Sequence, residues 1–368
     1  MIYLDNGATS FHKPETVKKA VLRAMERCAN PGRGGYPASM EAAKTVYHCR
    51  ELAGKLFDCQ PQQVVFTSNC THGLNIAIGS LVKPGARVVV SGFEHNAVTR
   101  PLHHLRVEPV VAGRKLFDWA DTLESFEAAL KTKPDAAIFT HVSNVFGYEL
   151  PVVQMAALCR QYGVPFAIDA AQSAGCLPVK LTELGADFIA MPGHKGLLGP
   201  QGTGLLLCGG DAQPLLRGGT GSQSLLQEMP EELPERLEAG TVNVPGGAGL
   251  AAGLEYLKQT GIEKIGNRES YHAKACAKGL EKFGFQVFSG EHQRGVVSFV
   301  PPMDCQEMAQ GLAKRGIAVR AGLHCAPLAH ASAGTLDSGT VRVSFGYDAS
   351  PQQTRQLLSA VMGIITKP

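Results

Sequence analysis

Short apolar segments alternate with helical patterns through the first two-thirds of the chain, and this alternation constrains the fold most strongly. Several of the segments are apolar on both faces, as parallel strands covered by helices on both sides must be. Amphipathic stretches such as 14–28 and 151–162 lie between them. The pattern predicts a doubly wound, mainly parallel α/β sheet. Its expected strands are 64–68, 87–93, 136–143, 165–171, 186–190 and 204–208.

The pattern changes after about residue 245, where helices and strands no longer alternate singly. Two successive helices are expected at 247–259 and 263–283, followed by strands at 295–300, 317–320 and 340–345 and by helices at 304–315 and from 351. A chain of 368 residues is long enough for two domains. We predict a large domain over residues 15–260 and a smaller α+β domain over 261–368, which residues 1–14 join. Segment 218–238 lacks periodicity and is interpreted as a surface loop or a dimer contact.

Charge and composition exclude several classes of protein. The net charge is only +3, and no dense basic run is present, so nucleic acid is not an expected partner. No apolar run approaches the roughly 18–20 residues of a membrane-spanning helix, and residues 1–5 lack the basic start of a secretory signal. The ten cysteines contain no C-x-x-C pair, which favours reduced thiols. We therefore expect a cytoplasmic protein that does not bind a membrane.

Two polar features follow predicted strands, where open α/β sheets place their ligands. The turn at 67–73 contains Cys70 and Thr71 and precedes a helix, so its backbone N–H groups suit a phosphate monoester. A plain helix N-cap is the alternative. Asp169 ends an apolar strand, where a carboxylate is costly to bury without a partner. A protonated pyridine nitrogen would be such a partner, and a role as the cap of the next helix is the alternative.

A lysine and a cysteine are the candidate reactive groups. Lys195 follows a buried strand, where desolvation lowers the pKa of an amine as Schiff-base chemistry requires. An ordinary surface lysine is the alternative. Cys325 follows His324 in a loop that contains glycine and proline, where an exposed thiol near cations can be reactive. A buried or incidental cysteine is the alternative there. No His/Cys set has the spacing of a zinc site, so no metal is predicted.

Taken in order, these features resemble the class V aminotransferase family of fold-type I pyridoxal-phosphate (PLP) enzymes. Within that family they most resemble type II cysteine desulfurases and selenocysteine lyases, in a short branch that contains the sequences found here at 194–204 and 324–330. The resemblance covers nearly the whole chain. Its motifs are 3–9, Glu94-His95, 140–144, Asp169-x-x-Gln172, Gly193-His194-Lys195, 238–243, 320–326 and 341–344.

The resemblance implies PLP as the cofactor and a role for each matching residue. Lys195 would carry PLP as a Schiff base and later move the proton at the substrate α-carbon. The other implied cofactor contacts are Asp169 to the pyridinium nitrogen, Gln172 to the ring hydroxyl, His95 stacked on the ring as a possible acid–base group, and Cys70, Thr71 and His194 at the phosphate. Thr241 would reach the phosphate of the neighbouring subunit, which implies a homodimer.

The substrate site and the reaction follow from the same resemblance. Asn144 and Arg342 would hold the substrate carboxylate, the arginine by a planar two-point contact. Tyr36 stands where related enzymes commonly show a histidine near the substrate, and Pro192 replaces a serine three residues before the lysine. The implied reaction converts cysteine to alanine and leaves a persulfide on Cys325, which a sulfur-acceptor protein then takes. A selenocysteine lyase, and an aminotransferase or C–S β-lyase, are the alternatives.

Overall fold

The computed structural model of the protein describes residues 1–32 and 34–366. Its strands are numbered along the chain. They are β1 (Ile2–Tyr3), β2 (Val64–Thr67), β3 (Val88–Ser91), β4 (Val110–Ala112), β5 (Ala136–Thr140), β6 (Phe166–Asp169), β7 (Phe188–Pro192), β8 (Gly204–Cys208), β9 (Gln286–Phe288), β10 (Val296–Val300), β11 (Ile317–Ala318), β12 (Arg320–Gly322) and β13 (Thr340–Ser344).

The helices surround two of the sheets. They are α1 (Glu15–Arg27), α2 (Pro37–Phe57), α3 (Cys70–Leu81), α4 (Asn96–His104), α5 (Trp119–Leu130), α6 (Val152–Tyr162), α7 (Leu181–Leu184), α8 (Val244–Thr260), α9 (Ile262–Glu281), α10 (Cys305–Ala313), α11 (Pro327–Ala333) and α12 (Pro351–Ile365). None of the helices in the described ranges has the length and apolarity needed to cross a bilayer.

A seven-stranded sheet in the order β2-β8-β7-β6-β5-β3-β4 forms the centre of the larger part of the molecule. Strands β3, β4, β5, β6 and β7 all run parallel to one another. Strand β8 is antiparallel to both of its neighbours, β7 and β2. Both faces of the sheet are covered. In β5, Ala137 and Phe139 pack into the core on one face, and Ala136 and Ile138 pack into the core on the other. This arrangement explains the continuous apolar runs, and the predicted doubly wound, mainly parallel sheet is confirmed.

A smaller antiparallel sheet follows, in the order β12-β13-β10-β9. Its core includes Leu4, Phe299 and Leu357, so the N-terminal segment packs with the C-terminal part of the chain. Strand β1 also pairs in parallel with β11, which lies in that part. The division of the chain into domains at residue 260 stays a prediction.

The sequence predicted most helices and strands correctly, but not the residues at which they begin and end. Helix α8 begins at Val244 rather than at 247, because Asn243 caps its first turn. The single strand predicted at 317–320 is wrong, since β11 pairs with β1 while β12 pairs with β13 in another sheet. Helix α2 was not expected. Segment 218–238 contains neither helix nor strand, so the predicted loop is confirmed.

Candidate functional site

The candidate residues meet at one edge of the seven-stranded sheet. Parallel strands place their carboxyl ends at the same edge, which is where open α/β sheets bind ligands. His95 follows β3, Asn144 follows β5, Asp169 ends β6 and Lys195 follows β7. Strand β2 runs in the same direction as β7, because β8 is antiparallel to both. The start of α3 therefore joins the same edge.

Asp169 is the buried acid of the site, with 3% of its surface exposed. Its Oδ1 accepts hydrogen bonds from Ala171 N at 2.8 Å and from Cys70 Sγ at 3.3 Å. No lysine or arginine of the described residues forms an ion pair with it. A buried carboxylate without a cation is costly, so this position favours a cationic group of a ligand. Burial, and then the charge of Asp169, raises the pKa of the Cys70 thiol well above its usual value.

The start of α3 has the geometry of a phosphate site. The side chain of Asn69 caps the helix by accepting a hydrogen bond from His72 N at 2.9 Å. The N–H groups of Cys70 and Thr71 precede that capped turn and point out of the helix start, as the first N–H groups of a helix do. Because the Cys70 side chain faces Asp169, only its backbone N–H is available to a phosphate. Thr71 is exposed, with its hydroxyl free of the core.

Lys195 lies in a tight turn that the N-terminal segment holds in place. Its burial lowers the pKa of the amine, although the charge of Asp169 pulls in the opposite direction. Ser10 Oγ donates to Lys195 O at 3.0 Å, and Lys13 Nζ donates to His194 O at 2.9 Å. Burial also lowers the pKa of His194 to about 4. Burial therefore favours the neutral form of the Lys195 amine, which lies beside a neutral His194 imidazole.

Burial likewise favours the neutral form of His95. Burial lowers the pKa of its ring, the charges of Lys195 and Arg342 lower it further, and Asp169 opposes them. Its Nδ1 accepts a hydrogen bond from Ala97 N at 3.0 Å, so Nε2 carries the proton of the neutral ring. These charges shift the pKa of His95 because they lie near its ring, so His95 belongs to the same cluster as Lys195, Asp169 and Arg342.

Arg342 supplies the cationic group that a substrate carboxylate would need. Only 1% of its surface is exposed. Its Nη2 pairs with Asp5 Oδ1 at 2.6 Å, and its Nη1 donates to Asn144 O at 3.0 Å. The buried Nε has no partner among the described residues. A buried N–H without an acceptor costs free energy, so an incoming carboxylate oxygen would satisfy it.

Cys325 lies in the short loop between β12 and α11, and its thiol is exposed as predicted. Arg320 Nη2 lies 4.0 Å from the Cys325 Sγ. Several hydrogen bonds hold the loop, among them the one from Asn96 N to Cys325 O at 2.8 Å. Cys325, His95 and Thr71 line one cleft of about 620 Å³. The candidate nucleophile thus faces the same cavity as the candidate phosphate site.

A separate, smaller cavity of about 50 Å³ lies beside the lysine turn. Lys195, Gln172, Glu269 and Arg294 are among its lining residues. The amide of Gln172 donates to Gly7 O at 2.9 Å. Gln172 therefore lies beside Lys195, as its predicted role at the cofactor requires, although that role stays a prediction.

Two of the predicted site residues are not brought to this cluster by the chain itself. Thr241 is exposed in a separate cleft of about 930 Å³. That cleft shares no lining residue with the two clefts that contain Lys195 and Cys325. Tyr36 precedes α2 and is 52% exposed. A role for Thr241 in a neighbouring subunit is compatible with this position, and both roles stay predictions.

Sequence reasoning missed four residues that support the site. They are Asp5 at Arg342, Lys13 at the lysine turn, Asn96 at the cysteine loop and Arg320 at the thiol. Asp5 and Arg320 lie within the motifs 3–9 and 320–326, which was the available signal for them. Lys13 and Asn96 lie outside those motifs, so nothing in the sequence distinguished them.

The residues present fit pyridoxal phosphate. Asp169 is a buried acid that forms no ion pair within residues 1–32 and 34–366, the start of α3 presents N–H groups, and Lys195 is an amine whose pKa burial lowers. In this order, the three features match the pyridine nitrogen, the phosphate and the aldehyde of that cofactor.

Comparison with known proteins gives consistent matches over nearly the full length. The family model "Aminotransferase class-V" matches residues 2–357. A protein of Methanothermobacter thermautotrophicus named "Probable cysteine desulfurase" is 32% identical, over 97% of this chain and 92% of its own. The apo structure of a cysteine desulfurase from Thermococcus onnurineus NA1 matches with a TM-score of 0.90 and 30% identity, covering 99% of this chain and 94% of that one. A cysteine desulfurase structure from Escherichia coli has a TM-score of 0.84 and 26% identity, with the same coverage.

Proposed function

Since the chain belongs to the class-V aminotransferase family, we propose that it is a cysteine desulfurase that uses PLP and stores the sulfur of L-cysteine as a persulfide on Cys325. The observation that carries the Cys325 assignment is its exposed thiol, 4.0 Å from Arg320, in the same cleft as His95. A thiol that receives sulfur must be reachable both from the substrate and from an acceptor, and this position suits both needs.

The cofactor would be held by residues at the carboxyl edge of the sheet. We assign its covalent attachment to Lys195, its ring nitrogen to Asp169, its ring hydroxyl to Gln172 and the ring face to His95. Its phosphate would meet the start of α3 at Cys70 and Thr71, together with His194 and Thr241 of a neighbouring subunit. When bound, PLP supplies an electron sink that acidifies the α-carbon of the amino acid.

The substrate would be held by its carboxylate. Arg342 offers the free Nε, and Asn144 lies beside it with its backbone carbonyl already bonded to the guanidinium. Lys195 can move the proton at the substrate α-carbon, because burial lowers the pKa of its amine and favours the neutral base. His95 presents a protonated Nε2, so it can donate a proton to a reacting group of the bound substrate.

Cys325 would act as the sulfur acceptor within the enzyme. Its Sγ forms a bond to the substrate sulfur while the bond from that sulfur to the β-carbon breaks. The electron pair of the broken bond goes to the β-carbon, which takes up a proton and becomes the methyl group of alanine. The thiol proton of Cys325 is released, and the transferred sulfur leaves the step as a persulfide. No external oxidant is needed.

The test is mass spectrometry of the protein after incubation with PLP and L-cysteine. We expect one added sulfur at Cys325 and an equal amount of alanine. Cys325→Ala should accumulate no persulfide, while Cys28→Ala, which changes another partly exposed thiol, should behave as the wild type. If Cys325→Ala keeps full activity on cysteine, the persulfide assignment is wrong.

The same experiment, repeated with selenocysteine as the substrate, separates the alternative reactions. A selenocysteine lyase would release alanine from selenocysteine without needing Cys325, and a C–S β-lyase or an aminotransferase would give an oxo acid and no alanine. We further propose a homodimer, a sulfur-acceptor protein as the next carrier, and a cytoplasmic location. Co-purification of a persulfide-reactive protein with the loaded enzyme tests the acceptor.

A further inference from the structure

The loop that carries Cys325 has a backbone conformation that needs external support. His324 and Cys325 have φ angles of 49° and 57°, in the left-handed region that non-glycine residues disfavour. Two such residues in succession remain in place only where surrounding contacts hold them. The contacts that hold this loop therefore determine where the Cys325 thiol lies.

Three contacts outside the loop support its two left-handed residues. The His324 ring Nε2 bonds to Thr340 O at 3.2 Å, and Asn96 N donates to Cys325 O at 2.8 Å. The amide Nδ2 of Asn144 donates to His324 O at 2.8 Å. Asn96 uses its backbone N–H, whereas Asn144 uses its side chain. Asn144 follows β5 of the seven-stranded sheet, so its amide joins this loop to that sheet.

Asn144 also touches the carboxylate clamp. Its backbone carbonyl accepts a hydrogen bond from Arg342 Nη1 at 3.0 Å, while its side chain holds His324 O at 2.8 Å. One residue thus connects the guanidinium that would bind the substrate carboxylate to the peptide that precedes Cys325. The distance from the carboxylate to the nucleophile depends on this residue.

We propose that Asn144 is a positioning residue for Cys325. Its side-chain amide holds the loop, so that the Cys325 thiol keeps a fixed position relative to the Arg342 guanidinium. The proposal rests on the proposed function, because it takes Cys325 as the group that attacks the substrate sulfur. It adds to the carboxylate contact of Asn144 a second role that acts at the nucleophile. A residue that only binds the carboxylate would affect binding and every later step alike. The positioning role adds a further effect that falls on the sulfur transfer alone.

The first measurement is amide hydrogen exchange in the cofactor-free protein. Ala326 N donates to Leu323 O at 2.8 Å, so the amide of Ala326 reports on the closed loop. We expect Asn144→Ala and Asn144→Asp to speed its exchange at least about ten-fold, and Asn267→Ala, an exposed change on α9, to leave it unchanged. Unchanged exchange in both Asn144 variants would overturn the proposal.

The second measurement compares two reactions of the PLP-loaded enzyme. Exchange of the α-hydrogen of L-alanine with deuterated solvent needs Lys195 and the carboxylate clamp but not Cys325. For Asn144→Ala the change in this exchange, at saturating alanine, measures the loss of the carboxylate contact. Persulfide formation at saturating cysteine should fall at least about ten-fold further than this exchange, since small misplacement of a reacting group costs that much or more.

The combined outcomes decide between the two roles. An equal fall in both reactions would mean that Asn144 acts only through the substrate carboxylate, and the proposal would be wrong. If the wild-type enzyme forms no persulfide on Cys325, the proposed function fails and the kinetic part fails with it. The hydrogen-exchange result in the cofactor-free protein would then still decide whether Asn144 anchors the loop.

Discussion

Buried polar atoms without partners identify the residues around which the site is organised. Among the described residues they include Arg342 Nε, His324 Nδ1 and Glu94 Oε2. Each such atom costs free energy unless a ligand, a proton or water satisfies it. A substrate carboxylate would satisfy Arg342 Nε. Glu94 solves the same problem differently, because a protonated carboxyl carries no buried charge.

Glu94 should make the stability of the protein depend on pH. Burial raises its pKa to about 8, although hydrogen bonds from Ser91 and Thr140 pull it down. In the unfolded chain the same carboxyl titrates near ~4.3. Between these two values the unfolded state releases its proton first, so this carboxyl stabilises the fold fully only at low pH. Its contribution is lost as pH rises toward about 8 and then stays constant.

Replacing Glu94 by glutamine should remove this pH dependence. The free energy of unfolding of Glu94→Gln, relative to the wild type, should rise with pH by up to about 1.4 kcal/mol per unit between about pH 5 and about pH 8. Urea unfolding of the cofactor-free protein at both ends of that range measures it. Glu263→Gln, an exposed change on α9, is the control. A difference that does not change with pH would show that Glu94 ionises as freely in the folded protein as in the unfolded one.

Single residues could be predicted where their position along a strand carried information. Lys195, Asp169 and His95 follow or end strands of the large sheet, and the expectation that they lie together is met. The contact between Asp5 and Arg342 joins residues 337 positions apart, and no local pattern indicates such a pair. The sequence could therefore indicate the candidate reactive groups but not the groups that hold them.

At the scale of elements, the start of α3 combines two tasks. To bind the phosphate of the proposed cofactor it would present free N–H groups, and it must still be capped to remain a helix. Asn69 resolves the conflict, because its side chain satisfies His72 N one turn in and leaves the N–H groups of Cys70 and Thr71 free. The cap and the phosphate site can be separated by substitution.

Two substitutions at Asn69 should separate the stability of the protein from its affinity for PLP. Asn69→Ala removes the cap and should lower the free energy of unfolding by about 1 kcal/mol. Asn69→Asp keeps the cap but places a negative charge beside the phosphate, so stability should hold while PLP binds roughly ten-fold more weakly, or about 1.4 kcal/mol. Urea unfolding and titration with PLP measure the two effects. Equal losses of affinity in both variants would contradict a phosphate at this helix.

The elements themselves were largely predictable, because strand and helix periodicity is a local property. The exceptions have tertiary causes. A single strand is predicted at 317–320, but the residues at its two ends have partners in different sheets, so the segment divides into β11 and β12. The first strand is only two residues long and exists because it pairs with β11. Neither pairing can be inferred from the segments alone.

At the scale of the molecule, the N-terminal segment connects both halves of the site. Asp5 holds Arg342, Gly7 O accepts from Gln172, and Ser10 and Lys13 hold the turn of Lys195. Within nine residues this segment reaches the predicted substrate clamp, the predicted cofactor contact and the reactive lysine. The relative position of the two sheets at the site therefore depends on it.

Thr241 is a predicted phosphate contact that lines a cleft separate from that of Lys195. Glu238, three residues earlier, accepts hydrogen bonds from Phe66 N and from Arg50, both at 2.6 Å. This buried pair fixes the segment against β2, so the exposed Thr241 is presented on a fixed surface. The predicted homodimer would place this surface against the neighbouring subunit.

Mixed dimers test this arrangement. Thr241→Val alone should bind PLP roughly ten-fold more weakly, because a hydrogen bond to a charged phosphate is lost. Lys195→Ala alone should form no covalent attachment and lack its visible absorbance band. If Thr241 acts in the neighbouring subunit, a dimer of one chain of each variant contains one complete site, where Lys195 of the first chain meets Thr241 of the second. That dimer should bind one PLP covalently with wild-type affinity, measured by titration of the band after purification with two different tags. If Thr241 acts within its own chain, the only lysine-bearing site lacks its threonine, and the affinity should stay at the weakened value.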